Sequence, residues 1–146
     1  MSQGRETAIA VDFHAPGTHE WSPAYDGAVY ALNFYSPIVA EQLRTLRKTA
    51  TIRLGDKSSK YKKGMIVTVL CGVRYGQREK IFDAVIDRVD VKSLRELSPR
   101  EIEHDNPEIR RPDEMARFLG QLYNREVTED DTVTVIRFSQ IIGSMF

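Results

Sequence analysis

A chain of 146 residues with 41% hydrophobic and 29% charged side chains has enough apolar content for one core and too much to be disordered. A formal net charge of +0 excludes a polyanion-binding surface spread over the whole molecule, so any such surface must be local. One cysteine, Cys71, excludes an internal disulfide, and three scattered histidines give no metal-ligand spacing, so neither a structural zinc nor a cofactor is expected.

The charges are sorted along the chain. Glu41 to Lys80 carries eleven basic and three acidic residues, whereas Ile81 to Asp131 carries eight basic and fourteen acidic ones. The densest part, Arg44 to Lys63, has eight cations against Asp56 alone.

Residues 1–27 contain Gly4, Pro16, Gly17, Pro23 and Gly27 without sustained periodicity and read as an N-terminal extension, with the domain over 28–146. No basic leader and no apolar run approaching the ~18 residues of a membrane span is present, so a cytoplasmic protein without membrane contact is expected. Oligomeric state is not legible: a monomer or an unknown oligomer fits equally.

Ala28 to Phe34 is rich in strand formers and stops at Ser36-Pro37, a helix cap followed by proline in the first turn. The helix should reach about Leu46, with Val39, Leu43 and Leu46 as its inward stripe. Thr49 to Leu54 then alternates: Ala50, Ile52 and Leu54 face a core, while Thr49, Thr51 and Arg53 face solvent or a cleft. Lys62-Lys63-Gly64 reads as a turn into a strand over Met65 to Leu70, ending at Cys71, which reads as a packed side chain rather than a nucleophile.

Lys80 to Val91 is long enough for a bent or bulged strand. Ser98-Pro99 with Glu101 forms a capping box that starts a short helix, and Pro107 ends it, leaving His104-Asp105-Asn106 as a polar corner. Pro112 opens a last helix carrying Met115, Phe118, Leu119, Leu122 and Tyr123, with Asn124 suited to the left-handed C-terminal position. A final strand covers Thr132 to Phe138. Five or so strands with three helices, not in strict alternation, predict an α+β fold.

The Lys48-Thr49-Ala50-Thr51-Ile52-Arg53 run, the Lys60-Tyr61-Lys62-Lys63-Gly64 turn and the Leu97-Ser98 to Asn106 segment together resemble the ASCH domain family of the PUA-like superfamily, over about residues 28 to 140. The resemblance implies a small PUA-like β-barrel of about five or six strands with flanking helices. It also implies a cleft lined by the basic segment, and RNA or a modified nucleoside as partner. Within the family the sequence is similar to the small bacterial acetylcytidine amidohydrolases, whose catalytic lysine and threonine would fall on Lys48 and Thr51. Their glutamate would fall near Asp105, one methylene shorter, with Glu103 close by, and Met65 stands where relatives often carry an acid.

Two chemistries are open to these residues. In an amidohydrolase or RNA hydrolase, Thr51 would attack a carbonyl with neutral Lys48 as base, which demands a lysine pKa brought from ~10.4 to roughly 7–8. Three residues apart on one strand point to opposite faces, so Lys48 can serve Thr51 only from before the strand. In a binding module, Lys48, Arg53, Lys57, Lys60 and Lys63 contact phosphates, Thr49 and Thr51 donate hydrogen bonds, and Tyr61 or Tyr75 stacks on a base.

Overall fold

A computed structural model describes residues 30–72 and 76–142. The predicted extension over 1–27 and Tyr75 lie outside the described residues. Five strands are β1 (Tyr30–Phe34), β2 (Ala50–Leu54), β3 (Ile66–Gly72), β4 (Arg78–Ser93) and β5 (Thr132–Gln140). The helices are α1 (Pro37–Arg44), α2 (Pro99–Asp105) and α3 (Pro112–Tyr123), with a 3-10 turn at Leu94–Glu96.

The strands form one mixed sheet in the order β1-β3-β4-β5-β2, parallel between β1 and β3 and antiparallel elsewhere. The long β4 holds the sheet together by pairing with both β3 and β5, and its register to β5 shifts between Ile86 and Arg88, the irregularity its length predicted. The result is the expected α+β architecture, a half-barrel with three helices. Among the described residues no helix is long and apolar enough to cross a membrane.

Alternation divides the apolar side chains between two cores. Leu32, Phe34, Val67, Val69, Phe82, Ala84, Ile86 and Phe138 pack with Leu43 of α1. Ile52, Leu54, Val133 and Val135 pack with Leu94, Ile102, Met115 and Leu119 beneath α2 and α3. β2 therefore gives Ile52 and Leu54 to the second core, while Thr51 and Arg53 lie on its other face.

Although β1 and β2 are the two ends of the sheet, side chains tie them together. Arg53 Nη2 on β2 donates to the Asn33 carbonyl on β1 at 3.1 Å, and the Tyr61 hydroxyl, in the loop after β2, reaches the Ala31 carbonyl at 3.2 Å. Sheet edges are otherwise open to foreign strands, and these links draw them into a seam.

The first helix ends earlier than its apolar stripe suggested. Arg44 is its last residue, and Leu46, expected to face the core, is 52% exposed. The reason is a Schellman turn: Arg47 N donates to the Gln42 carbonyl at 2.9 Å and Leu46 N to the Leu43 carbonyl at 3.1 Å, which forces Leu46 to φ 61. A leucine in the left-handed region pays a steric cost that glycine does not. Leu46→Gly is therefore expected to stabilise the protein by about 0.5–1 kcal/mol in urea denaturation, and a loss of stability would show that the leucine side chain is held by contacts. At the end of α3, Asn124 takes the same conformation, φ 56, as its residue type predicted.

Candidate functional site

The turn after α1 places Lys48 two residues ahead of β2, the geometry that lets it share a face with Thr51. Thr49 fixes this junction through its backbone: its N–H donates to the His104 carbonyl at 3.0 Å, and its carbonyl accepts from Phe138 N at 3.1 Å. From the opposite side, the Ser98/Glu101 capping box and Pro99 start α2, whose seven residues bring Asp105 to its last position. Lys48 and Asp105 meet there with both side chains buried, Nζ to Oδ1 at 2.8 Å. Glu103, the competing acid, is exposed and takes no part.

The Lys48 ammonium spends all three of its hydrogens: on Asp105 Oδ1 at 2.8 Å, on the Asp105 carbonyl at 2.8 Å and on the Ala50 carbonyl at 2.9 Å. It thereby fastens the end of α2 to the start of β2. Burial lowers its pKa from the ordinary lysine value, the Asp105 carboxylate opposes that, and the neighbouring Arg53 cation lowers it further. Asp105 Oδ1 also accepts from Ile52 N at 3.0 Å.

Thr51 and Arg53, two apart on β2, interact directly: Arg53 Nε donates to Thr51 Oγ1 at 3.0 Å. The Phe34 ring is within cation–π reach of both cations, 5.3 Å from Lys48 Nζ and 5.1 Å from the Arg53 guanidinium carbon. No hydrogen bond joins Lys48 to Thr51.

Lys48, Thr51, Arg53 and Asp105 all line one cleft of about 590 Å³ at the seam between β1 and β2. α1 contributes Ile38, Val39 and Gln42, and α3 contributes Phe118, Leu122 and Tyr123. The α3 stripe read from the sequence thus has two uses: Met115 and Leu119 are buried in the core, and Phe118, Leu122 and Tyr123, half-buried against that core, line the cleft together with Leu119. Tyr123 also caps the β2 edge, its hydroxyl accepting from Leu54 N at 2.9 Å.

The rest of the basic segment lies elsewhere, which corrects the expectation of one cleft lined by it. Lys62 and Lys63 border a separate depression of about 550 Å³ with Ser58, Tyr61, Asp87, Arg88 and Val89. Lys57 is half-buried and anchored through its backbone, its N–H donating to Thr134 Oγ1 at 2.8 Å. Neither Lys57, Lys60 nor Thr49 lines the cleft.

Tyr61 departs most from its expected role. It is 1% exposed and packed in the first core, with Lys60 Nζ 5.3 Å from its ring centre, so it cannot stack on a base. An aromatic between lysines looked like a nucleic-acid contact, but the loop has no periodicity to reveal which side chain turns inward.

Asn33 and Phe34 on β1 escaped the sequence reading, because an Asn-Phe pair ending a strand carries no motif. Asn33 is 8% exposed, and its amide oxygen is buried without a hydrogen-bond partner among the described residues. No group of three His, Cys, Asp or Glu side chains among the described residues is placed to hold a metal ion.

No protein-family model matches the sequence, and no curated protein matches it significantly. Solved structures do. Protein EF3133 from Enterococcus faecalis V583, of the family DUF984, superposes with a TM-score of 0.56 at 15% identity, over 90% of this chain and 86% of that one. The hypothetical protein PH0355 gives a TM-score of 0.53 at 20% identity, over 75% of this chain and 100% of that one. An ASCH domain from Lactobacillus crispatus JV V101 gives a weaker likeness, with a TM-score of 0.47 at 14% identity, over 76% and 80% of the two chains. Such identities carry the fold alone. The chain therefore shares the α+β fold of EF3133 and PH0355, in keeping with the fold that the Lys48–Arg53 resemblance implied.

Proposed function

We propose that the seam cleft binds a nucleobase, from RNA or a free nucleotide, and holds it without turnover. The observation that carries this reading is the hydrogen-bond state of the Lys48 ammonium, whose three hydrogens are all committed to Asp105 and Ala50. A lysine donating three hydrogen bonds is a clamp and has no lone pair to take a proton from Thr51. Thr51 Oγ1 in turn accepts from the Arg53 cation, which draws electron density away from the oxygen that would attack.

The cleft's volume, apolar walls and few convergent polar groups suit a small planar ligand. Phe118 and Tyr123 offer aromatic surface, and base stacking on such side chains is worth about 1–3 kcal/mol per base. Lys62 and Lys63, at the second depression, are available to phosphates of a longer strand, whereas Arg88 beside them is paired with Asp90 at 2.7 Å.

The two sets of residues separate in a titration with a mononucleotide and with a short single-stranded RNA. Thr51→Val should weaken both ligands about tenfold, since a hydrogen bond to the ligand is lost. Lys62→Ala with Lys63→Ala should leave the mononucleotide unaffected and flatten the salt slope for RNA by about 0.7 per contact removed. Failure of the wild-type protein to bind any nucleotide would end this reading.

Hydrolysis of an acylated nucleoside is the second reading, favoured by the lowered Lys48 pKa beside Thr51 in a common cleft. It requires Lys48 to release its proton and turn from Asp105 to Thr51. Product formed by wild type and abolished in Thr51→Val would establish it.

A further inference from the structure

Asp105 uses only half of its carboxylate inside the protein. Oδ1 accepts from Lys48 Nζ at 2.8 Å and from Ile52 N at 3.0 Å. Oδ2 has no hydrogen-bond partner among the described residues. The side chain is 93% buried, yet Oδ2 is not among the sealed, unsatisfied atoms, a class that holds Asn33 Oδ1 alone among the described residues. The access it has is to the cleft that Asp105 lines.

A buried carboxylate oxygen with a fixed direction and no partner is a strong, costly acceptor that a ligand donor would satisfy. Its orientation is fixed twice over, because Lys48 and the Ile52 N–H both grip one oxygen, and the half-turn that exchanges the two equivalent oxygens leaves the other again in the same place. Thr51 complements it: with a lone pair taken by Arg53 Nε, its hydroxyl proton is directed at no described group and can serve a ligand acceptor.

We infer that Asp105 Oδ2 reads an amino or ring N–H donor on the ligand, with Lys48 as its positioning residue, so that the cleft selects amino-bearing planar heterocycles. This rests on the nucleobase reading above and adds to it which bases are taken. It also moves Lys48 from proton transfer to orientation. A carboxylate that can only accept rejects a ligand with an acceptor at that place, because two lone pairs would face each other in a poorly solvated site.

The test compares adenosine and cytidine with the same two nucleosides lacking the exocyclic amino group, by calorimetric titration of the full chain. The amino-bearing nucleoside that fits the cleft should bind at least tenfold tighter than its deaminated-to-hydrogen counterpart. Asp105→Asn gives a sharper outcome. Lys48 and Ile52 N both demand an acceptor at the Oδ1 position, so the amide carbonyl must take it and the amide NH₂ must replace Oδ2 in the cleft. The preference should then vanish or reverse.

Equal affinities of the paired nucleosides for the wild-type protein would overturn the inference and leave the nucleobase reading standing. Absence of binding by all four would overturn both. If Asp105→Asn does not fold, the wild-type comparison alone decides.

Discussion

Lys48→Met is expected to destabilise the protein by about 3–5 kcal/mol, read from urea denaturation monitored by far-ultraviolet circular dichroism. The methionine fills nearly the same space but supplies no hydrogen, so Asp105, whose side chain is 7% exposed, loses its counter-charge. The Asp105 and Ala50 carbonyls lose donors at the same stroke, and the end of α2 is no longer fastened to β2. Pairing it with Asp105→Leu should restore part of the loss, since removing both partners removes the uncompensated charge; the Ile52 N–H left without Oδ1 and the two backbone carbonyls left without Nζ set the limit of that recovery. A single mutant within about 1 kcal/mol of wild type would mean that solvent reaches the pair and that the clamp has little mechanical role.

The second large effect lies in the loop after β2. Tyr61→Ala should cost about 3–5 kcal/mol, the usual range for emptying a buried aromatic site, because the ring is 1% exposed among Leu32, Val67, Ile86 and their neighbours. Tyr61→Phe keeps the ring and removes the 3.2 Å hydrogen bond to the Ala31 carbonyl, for a loss of about 0.5–1.5 kcal/mol. The base-stacking role considered for this residue predicts the reverse order of importance, with small stability changes and a loss of RNA affinity in Tyr61→Ala. Chemical denaturation of the two variants separates these outcomes.

Local chemistry made much of this legible before any coordinates. Ser36-Pro37, Ser98-Pro99 with Glu101, and Pro112 each mark a helix start that the structure places within one residue, because capping depends on neighbours in the chain. The position of Lys48 ahead of β2 follows from the same kind of argument. Leu46 was misjudged because an apolar residue at the right spacing looks like core until a Schellman turn rotates it outward.

What lay beyond the sequence depends on long-range closure. Nothing near Asn33 indicates that β1 will face β2 across a seam, since the two strands are separated by three others in the sheet. The division of the cationic run has the same origin: Lys48 and Arg53 turn into the cleft, whereas Lys62 and Lys63 are carried by the loop to the neighbourhood of Arg88 on β4. Charge clustering in a chain shows that cations are near one another in sequence and leaves open whether they share a face.

A cylinder of strands fixes its own girth through the backbone ladder that runs all the way round it. In this molecule the ladder stops at β1 and β2, and side chains take over across the remaining distance, among them a guanidinium bond worth about 1.5–3 kcal/mol net and a phenol bond worth about 0.5–1.5 kcal/mol. The width of the aperture therefore answers to side-chain substitutions at Arg53 and Tyr61, which leave every rung between β3, β4 and β5 intact.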